Sequence, residues 1–267
     1  MESKFNVLIQ KHGIPKYVKK WIPASKTFDI EASLKTYHKH SFILNPKEKH
    51  TYMPSIKLPK VKFGADKIGI ITIYSFITYD EKSKTESTKK MTKIIHDFLD
   101  KHKAEMIGLI IDFRYHQGGN FWPVITFFDR YLNNSTLFAF GNIKLGKTKK
   151  GWMNLENLKM KYNTHYLENN DNIHIPIAVI IGPKTSSSGE FAAALFKGRK
   201  NIKFFGNRTA GYLSSNQDFK ISKDIEIVLT NMLITTYDGI FRDDEFLNVD
   251  KKTNKPITDS KLWIKKG

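Results

Sequence analysis

Residues 106–120 read MIGLIIDFRYHQGGN, and this stretch indicates the fold class. Its first part, Met106 to Phe113, is a nearly uninterrupted apolar run, typical of a β-strand buried on both faces of a parallel sheet. The run ends in Tyr115 to Asn120, where Gly118-Gly119 predicts a turn at the carboxyl end of the strand. A buried strand followed by a glycine-bearing loop is the first half of a βαβ unit.

The same order of strand, loop and helix recurs on both sides of this stretch. Upstream, an apolar and β-branched run from Lys67 to Tyr74 predicts a buried strand. It precedes apolar residues spaced as in an amphipathic helix: Met91, Ile94, Ile95, Phe98 and Leu99. Downstream, Ile175 to Ile181 leads through Gly182-Pro183 into a serine-rich segment and the helix-like Glu190 to Lys197. Shorter strands are predicted at 217–220, 225–230 and 232–237. We therefore predict an α/β fold whose functional loops follow the carboxyl ends of parallel strands.

Composition indicates a globular chain, and its net charge does not identify a binding partner. Of the 267 residues 40% are hydrophobic and 13% aromatic, which predicts a packed core. Lys and Arg number 44 against 26 Asp and Glu, a formal net charge of +18. The basic residues are mostly scattered lysines without a nucleic-acid-binding motif. They predict solvated faces rather than sequence-specific nucleic-acid binding, with association with an anionic envelope as the lesser alternative.

Cysteine content and hydropathy limit the choice of compartment. The sequence has no cysteine, which excludes disulfides, thiol nucleophiles and Cys-based zinc sites and leaves the redox compartment open. Residues 1–23 lack the apolar core of a secretory signal, and no stretch approaches the roughly 20 apolar residues of a membrane span. The chain as given is expected to be soluble. Its localisation is left open: extracellular or at the cell envelope if a leader or anchor was removed, otherwise cytoplasmic.

Two of the loops that follow buried strands carry residues suited to acyl transfer, Thr185 to Ser188 and Gly118-Gly119. A serine hydroxyl needs a base to accept its proton, and a tetrahedral oxyanion needs N–H donors already aimed at it. The start of a helix presents such unpaired N–H groups and favours negative charge. Taken singly, such serines are more often helix caps, a glycine pair a plain turn, and a histidine a local hydrogen-bonding group. Only their combination favours catalysis.

Four motifs in one order resemble the tail-specific (C-terminal processing) serine proteases. Asp112 to Asn120 resembles the loop D-x-R-x-N-x-G-G, and Thr185 to Glu190 resembles the nucleophile signature T-A-S-[AS]-[AG]-E. Gly206 to Gly211 resembles G-x-x-T-x-G, and His40 to Leu44 resembles H-S-x-[FY]-L. Each motif is weak by itself, but the ordered set spans roughly residues 30 to 250 and is specific.

The resemblance assigns roles to individual residues. The nucleophile of that family lies three residues before the motif glutamate, which implies Ser187. Ser188 then supplies one backbone N–H of the oxyanion hole, and Gly118 or Gly119 supplies the other. Glu190 is expected to cap the nucleophile helix.

Departures from the motifs indicate the branch of the family. Tyr212 stands where many members carry the lysine of a Ser-Lys dyad, and a phenol with a pKa near 10 does not readily replace that base. The chain therefore resembles the branch of the tricorn core and the bacterial nisin-resistance proteins, which implies His40 as the general base. Glu245 and Asp243 are comparable candidates for the acid that orients this histidine. His116 replaces the motif asparagine, either as a tolerated loop residue or as a second titratable group.

The resemblance also implies an architecture without a peptide-binding PDZ domain. Only about 25 residues separate Leu44 from the first strand, too few for a domain of roughly 80 residues. Residues 1–45 carry apolar positions interrupted by Gly13-Ile14-Pro15, which predicts short helices. We therefore expect a ClpP/crotonase-like βαβ core sheet over residues 61–267 and a helical N-terminal cap over residues 1–60 that carries the base.

The function that follows is a serine endopeptidase acting on peptides or unstructured protein tails. Cleavage near a C-terminus, in a groove between cap and core, is implied by the resemblance alone, and neither a metal nor an organic cofactor is required. The alternatives are a catalytically weak peptide-binding protein on the same fold, because Lys39 and His116 replace expected residues, and a basic interaction module. Oligomeric state does not follow from the sequence.

Overall fold

The computed structural model describes residues 42–44, 55–78, 80–121, 124, 127–128, 138–142, 148–153, 175–220, 226–236 and 246–252. Within them the chain forms two compact units. One unit comprises residues 54–138, 152–213 and 236–267, and the other comprises residues 1–53, 139–151 and 214–235. Short helices are predicted over residues 1–45; within this range the structure describes only Phe42–Leu44, which form a strand, and the rest lies outside the described residues.

A seven-stranded sheet forms the centre of the first unit. Its strand order is β12-β9-β8-β5-β4-β2, with β3 also paired to β4. The strands are β2 (Ser55–Ile56), β3 (Lys60–Phe63), β4 (Ile68–Ile77), β5 (Gly108–Gly119), β8 (Ile177–Ile181), β9 (Ile202–Gly206) and β12 (Lys251–Lys252). Strands β4, β5, β8, β9 and β12 run parallel, whereas β2 and β3 join β4 antiparallel. The three buried strands predicted from the sequence are thus neighbours in one sheet.

Two helices accompany this sheet in the described part of the chain. Helix α1 (Glu81–His102) begins at Asp80, whose carboxylate accepts hydrogen bonds from the N–H groups of Lys82 and Ser83. It starts earlier than the apolar spacing alone indicates because this cap lies in a polar segment. Helix α2 (Ser188–Ala194) directly follows the serine-rich loop and is fully buried. The right-handed βαβ order predicts that both helices cover the sheet.

The core is built from strand residues and aromatic rings. Every residue of β8 is buried, as expected for a strand with neighbours on both sides. Phe113 on β5 packs against Phe128 and Phe196, with ring centroids 5.8 and 6.3 Å apart. These contacts anchor the carboxyl half of β5 beside the end of α2.

Strand β5 continues further than the sequence predicts. The apolar run ends at Phe113 and a turn was expected from Tyr115, yet the strand extends to Gly119 and still pairs with β4 through Phe76. The pairing shifts register twice, between Thr72 and Tyr74 and between Tyr74 and Phe76. Two glycines with positive φ allow the chain to stay paired while it bends.

The second unit contains a separate sheet with the order β1-β11-β6-β7, in which β10 also pairs with β11, and β1, β6 and β10 each run antiparallel to β11. Its strands are β1 (Phe42–Leu44), β6 (Phe138–Asn142), β7 (Thr148–Met153), β10 (Ser214–Lys220) and β11 (Glu226–Thr235). Two runs predicted as separate strands, 225–230 and 232–237, are one continuous strand here. A bulge between Ser215 and Asn216 on the partner strand lets β11 remain uninterrupted.

Candidate active site

Ser187 occupies a strained turn between β8 and α2. Its backbone has φ 52° and ψ −121°, which places it outside the regions that non-glycine residues ordinarily adopt. Such a conformation costs roughly 1–3 kcal/mol and persists only where the surroundings hold it. It puts the serine at the apex of the turn, at the carboxyl edge of the parallel sheet.

Thr185 fastens this turn to the neighbouring strand. Its buried hydroxyl donates to the carbonyl oxygen of Phe113 at 3.1 Å and accepts from the N–H of Gly182 at 3.0 Å. Its carbonyl oxygen accepts from the N–H of Ala210 at 2.9 Å. The threonine of the nucleophile motif is therefore a structural anchor.

Glu190 fastens the turn from the other side. One carboxylate oxygen, Oε2, accepts from the N–H of Ser187 at 2.9 Å and from the N–H of Tyr212 at 2.8 Å. The other, Oε1, accepts from the N–H of Gly211 at 2.9 Å. Burial raises the pKa of Glu190, while these N–H donors and the hydroxyl of Thr209 oppose the rise. The expected helix cap is present, and the same carboxylate also holds the segment after β9.

Thr209 connects this segment to the residues near the end of the described chain. It donates its N–H to the carbonyl oxygen of Leu247 at 3.2 Å, and its hydroxyl accepts from the N–H of Leu247 at 2.9 Å. Gly211, with φ +92°, lies so close to the ring of Phe246 that a side chain at this position would overlap it. The loop beside Ser187 is thus enclosed by contacts from residues 246 and 247.

The glycine pair lies directly beside the serine turn. A Cβ atom at Gly118 would lie 3.2 Å from Cβ of Ser187 and 3.7 Å from its Oγ. A Cβ at Gly119 would overlap the backbone of Phe76. Both glycines have positive φ, of 114° and 119°. The structure therefore brings together the predicted nucleophile and the loop from which its oxyanion donors are expected.

His116 is completely buried between this loop and the serine turn. Its Nδ1 accepts a hydrogen bond from the N–H of Gly118 at 3.2 Å, and its carbonyl oxygen accepts from the N–H of Ser186 at 3.1 Å. Burial lowers the pKa of His116 from 6.5 to about 4. The sequence predicts His116 either as a tolerated loop residue or as a second titratable group. Neither prediction includes this contact with the glycine loop. The signal that pointed to it was its position in the motif, two residues before Gly118.

Asp112, which is buried, and Arg114, which is partly exposed, form an ion pair at the end of the apolar half of β5. The carboxylate of Asp112 accepts from Nε of Arg114 at 3.0 Å and from Nη2 at 3.2 Å, and also from the N–H of Arg114. Asp112 is inaccessible to solvent, and such a two-point pair is geometrically rigid. These motif residues support the strand end rather than the chemistry.

The structure describes only some of the other predicted site residues. His40, Asp243 and Glu245 lie outside the described residues. Ser188 is the first residue of α2, where its N–H has no acceptor inside the helix. Tyr212 is 45% exposed, although its N–H is bonded to Glu190.

Metal sites and membrane-spanning helices are both absent from the described residues. No group of His, Asp or Glu side chains there could hold a metal ion. In the same part of the chain no helix has the length and hydropathy needed to cross a membrane.

A serine in a strained turn between a parallel strand and a helix is the arrangement in which many α/β hydrolytic enzymes present a nucleophile. Residues 67–245 match the family described as peptidase family S41, and the chain belongs to that family. The predicted resemblance to tail-specific proteases is thereby confirmed.

Relatives and solved structures agree with this assignment. A nisin-resistance protein of Lactococcus lactis subsp. lactis is 29% identical over 234 residues, which cover 85% of this chain and 69% of that protein. A lipoprotein from Streptococcus agalactiae has a TM-score of 0.72 at 26% identity, over 87% of this chain and 79% of that one. The photosystem II D1 C-terminal processing protease has a TM-score of 0.52 at 14% identity, over 74% and 49% of the two chains. The predicted α/β core of the ClpP/crotonase-like type is confirmed.

Proposed function

We propose that this chain is a serine endopeptidase that cleaves peptides or unstructured protein tails through an acyl-enzyme. Ser187 is its nucleophile and His40 its general base. The observation that carries the proposal is the strained conformation of Ser187 beside the glycine pair. Strain at one polar residue, held by several buried hydrogen bonds, is typical of a functional position.

The chemistry needs one proton acceptor and two N–H donors. His40 takes the proton of the Ser187 hydroxyl as Oγ attacks the substrate carbonyl carbon. The N–H of Ser188, together with that of Gly118 or Gly119, stabilises the resulting oxyanion. The C–N bond then breaks, the leaving amine takes the proton from His40, and water hydrolyses the acyl-enzyme in the same manner.

An acidic residue completes the proposed site by orienting His40. Glu245 and Asp243 are the candidates, and Glu245 directly precedes Phe246. Contacts from Phe246 and Leu247 to the loop at Thr209 and Gly211 support a position for this part of the chain near the site. Either carboxylate would fix the imidazole tautomer that accepts the serine proton.

The substrate proposal draws on the relatives. A family of peptidases implies a peptide or protein substrate, and the resemblance of the four motifs to those of tail-specific proteases supports cleavage near a C-terminus. The high positive charge supports additional association with an anionic envelope.

One observation favours the alternative of a catalytically weak peptide-binding protein. The N–H of Gly118, one of the two candidate oxyanion donors, already bonds to His116. If Gly118 were the required donor, that bond would have to break for each turnover. A weak enzyme would still bind peptides at the same loops.

Labelling with a fluorophosphonate tests the proposal, since this reagent modifies only activated serines. The wild-type chain should label at Ser187, and Ser187→Ala should abolish both labelling and peptide turnover. Ser186→Ala and Ser188→Ala are the matched controls and should still label, because alanine preserves the backbone N–H of residue 188. An adduct mapped by mass spectrometry to Ser186 or Ser188 would refute the assignment.

The same assay tests the base. His40→Ala should lose turnover, whereas Tyr212→Phe should retain most of it, because the phenol is not expected to accept the proton. Equal losses in the two variants would show that the base is misassigned. A wild-type chain that binds peptides but neither labels nor turns over would favour the alternative function.

A further inference from the structure

Residue 116 is where this chain departs from the loop motif D-x-R-x-N-x-G-G, because His116 stands in place of the asparagine. In the structure its Nδ1 accepts from the N–H of Gly118, two residues along the chain. An asparagine side chain forms the equivalent bond to the backbone two residues on, which is the Asx turn. The imidazole therefore reproduces an asparagine contact with a different acceptor atom.

The same residue also contacts the serine turn. Its carbonyl oxygen accepts from the N–H of Ser186 at 3.1 Å. Its ring lies against Gly189, where a Cβ atom would come within 2.9 Å of Nδ1 and would overlap the carbonyl oxygen of His116. One residue thus contacts both the glycine loop and the segment that presents Ser187.

We propose that His116 is a positioning residue, whose Nδ1 and carbonyl oxygen hold the Gly118-Gly119 loop in register with Ser187. This inference rests on the proposed peptidase function. The bond occupies the N–H of Gly118, so under this proposal the N–H of Gly119 is the second oxyanion donor. His116 acts through the glycine loop and the serine turn, not on the reacting atoms, which makes it a positioning residue.

The proposed contact requires one tautomer of the imidazole. A ring nitrogen that accepts a hydrogen bond is unprotonated, so the proton of the neutral ring is on Nε2. Nε2 is buried and has no hydrogen-bond partner among the described residues. The low pKa of His116 agrees with a ring that stays neutral and keeps Nδ1 available as an acceptor.

Two substitutions separate the acceptor from the bulk of the ring. His116→Asn restores the acceptor that the motif carries and should keep kcat within about threefold of wild type. His116→Phe keeps a ring but removes the acceptor. It should lower kcat and the rate of fluorophosphonate labelling by about tenfold with little change in KM, the factor expected for loss of one hydrogen bond. A Phe variant that equals the Asn variant in kcat would overturn the proposal.

A second measurement does not depend on activity. Nitrogen-15 NMR of histidine-labelled wild-type protein should show one ring with an unprotonated Nδ1 and a protonated Nε2 near neutral pH, and His116→Asn identifies that signal by removing it. A protonated Nδ1 would overturn the proposal. If the wild-type protein does not react with the fluorophosphonate but shows this tautomer, the proposed peptidase function is refuted. The bond from His116 to the glycine loop is still supported in that case.

Discussion

At the scale of single residues, Ser187 adopts a conformation that its own chemistry disfavours. Its φ of 52° combined with ψ −121° is accessible mainly to glycine. The N–H of Ser187 is held by Glu190 at 2.9 Å, and its carbonyl oxygen accepts from the N–H groups of Glu190 and Phe191. The strain is therefore offset by hydrogen bonds to both backbone groups of one residue.

Glycine at position 187 should relieve this strain. Ser187→Gly and Ser187→Ala both lack the nucleophile, but we expect the glycine variant to be more stable by about 1 kcal/mol because alanine keeps the disfavoured φ. Urea denaturation of the two variants measures the difference directly. Equal midpoints would indicate that the turn relaxes when the hydroxyl is lost.

At the scale of elements, the site forms where the end of β5 meets the turn between β8 and α2. Both segments depend on hydrogen bonds to partners distant in sequence, such as Thr185 to Phe113 and Glu190 to Gly211. The glycine loop has no side chains that could form such bonds. Its placement relies on the bond from the N–H of Gly118 to His116 and on close approach to Phe76 on one side and Ser187 on the other.

Side chains in the glycine loop should be costly for this reason. Gly119→Ala combines a φ of +119° with overlap of the Phe76 backbone, so we expect a loss of at least about 2 kcal/mol in the free energy of unfolding. Gly182→Ala is the control, since its Cβ would first meet Cγ of Arg114 at 3.6 Å, an ordinary contact. That variant should stay within about 0.5 kcal/mol of wild type. Similar stabilities for the two variants would contradict the close approach of β4 and β5.

At the scale of the whole molecule, titratable groups buried at the site link stability to pH. The chain carries a formal net charge of +18, but most of this charge is on lysines. His116 differs because it is fully inaccessible and uncharged when folded. Its burial therefore makes folding sensitive to pH in a range where exposed lysines do not titrate.

Stability should fall as the pH drops through the window that His116 defines. The unfolded chain binds a proton there near pH 6.5, whereas the folded chain resists protonation down to about pH 4. Between these values the unfolded state holds more protons, so lower pH favours unfolding, by up to about 3 kcal/mol in total.

Chemical denaturation of wild type and His116→Asn between pH 7 and pH 4 tests this sign. The asparagine variant should lose stability less steeply. The difference between the two proteins isolates His116, because Glu190, whose raised pKa gives the opposite slope, titrates in both. Parallel curves would show that His116 becomes charged without unfolding.

The sequence alone was sufficient for three neighbouring strands of the sheet and for the family. The buried strands at 67–74, 106–113 and 175–181 follow from apolar runs, which depend only on neighbouring residues. The ordered motifs identified the family, which the match over residues 67–245 confirms. The motifs select Ser187, Glu190 and the pair Gly118-Gly119, and the structure places Glu190 and Gly118 in contact with Ser187.

Only the tertiary structure decided the features that depend on residues far apart in the chain. The extension of β5 to Gly119 requires pairing with β4, and an isolated reading of Tyr115 to Asn120 predicts a turn. The strained φ of Ser187 is held by hydrogen bonds from Glu190 and Phe191, and the bond from His116 to Gly118 forms in a buried part of the fold. Local sequence patterns show which segments are apolar. A backbone conformation that is unfavourable by itself forms only where long-range contacts compensate for it, and these contacts are visible only in the tertiary structure.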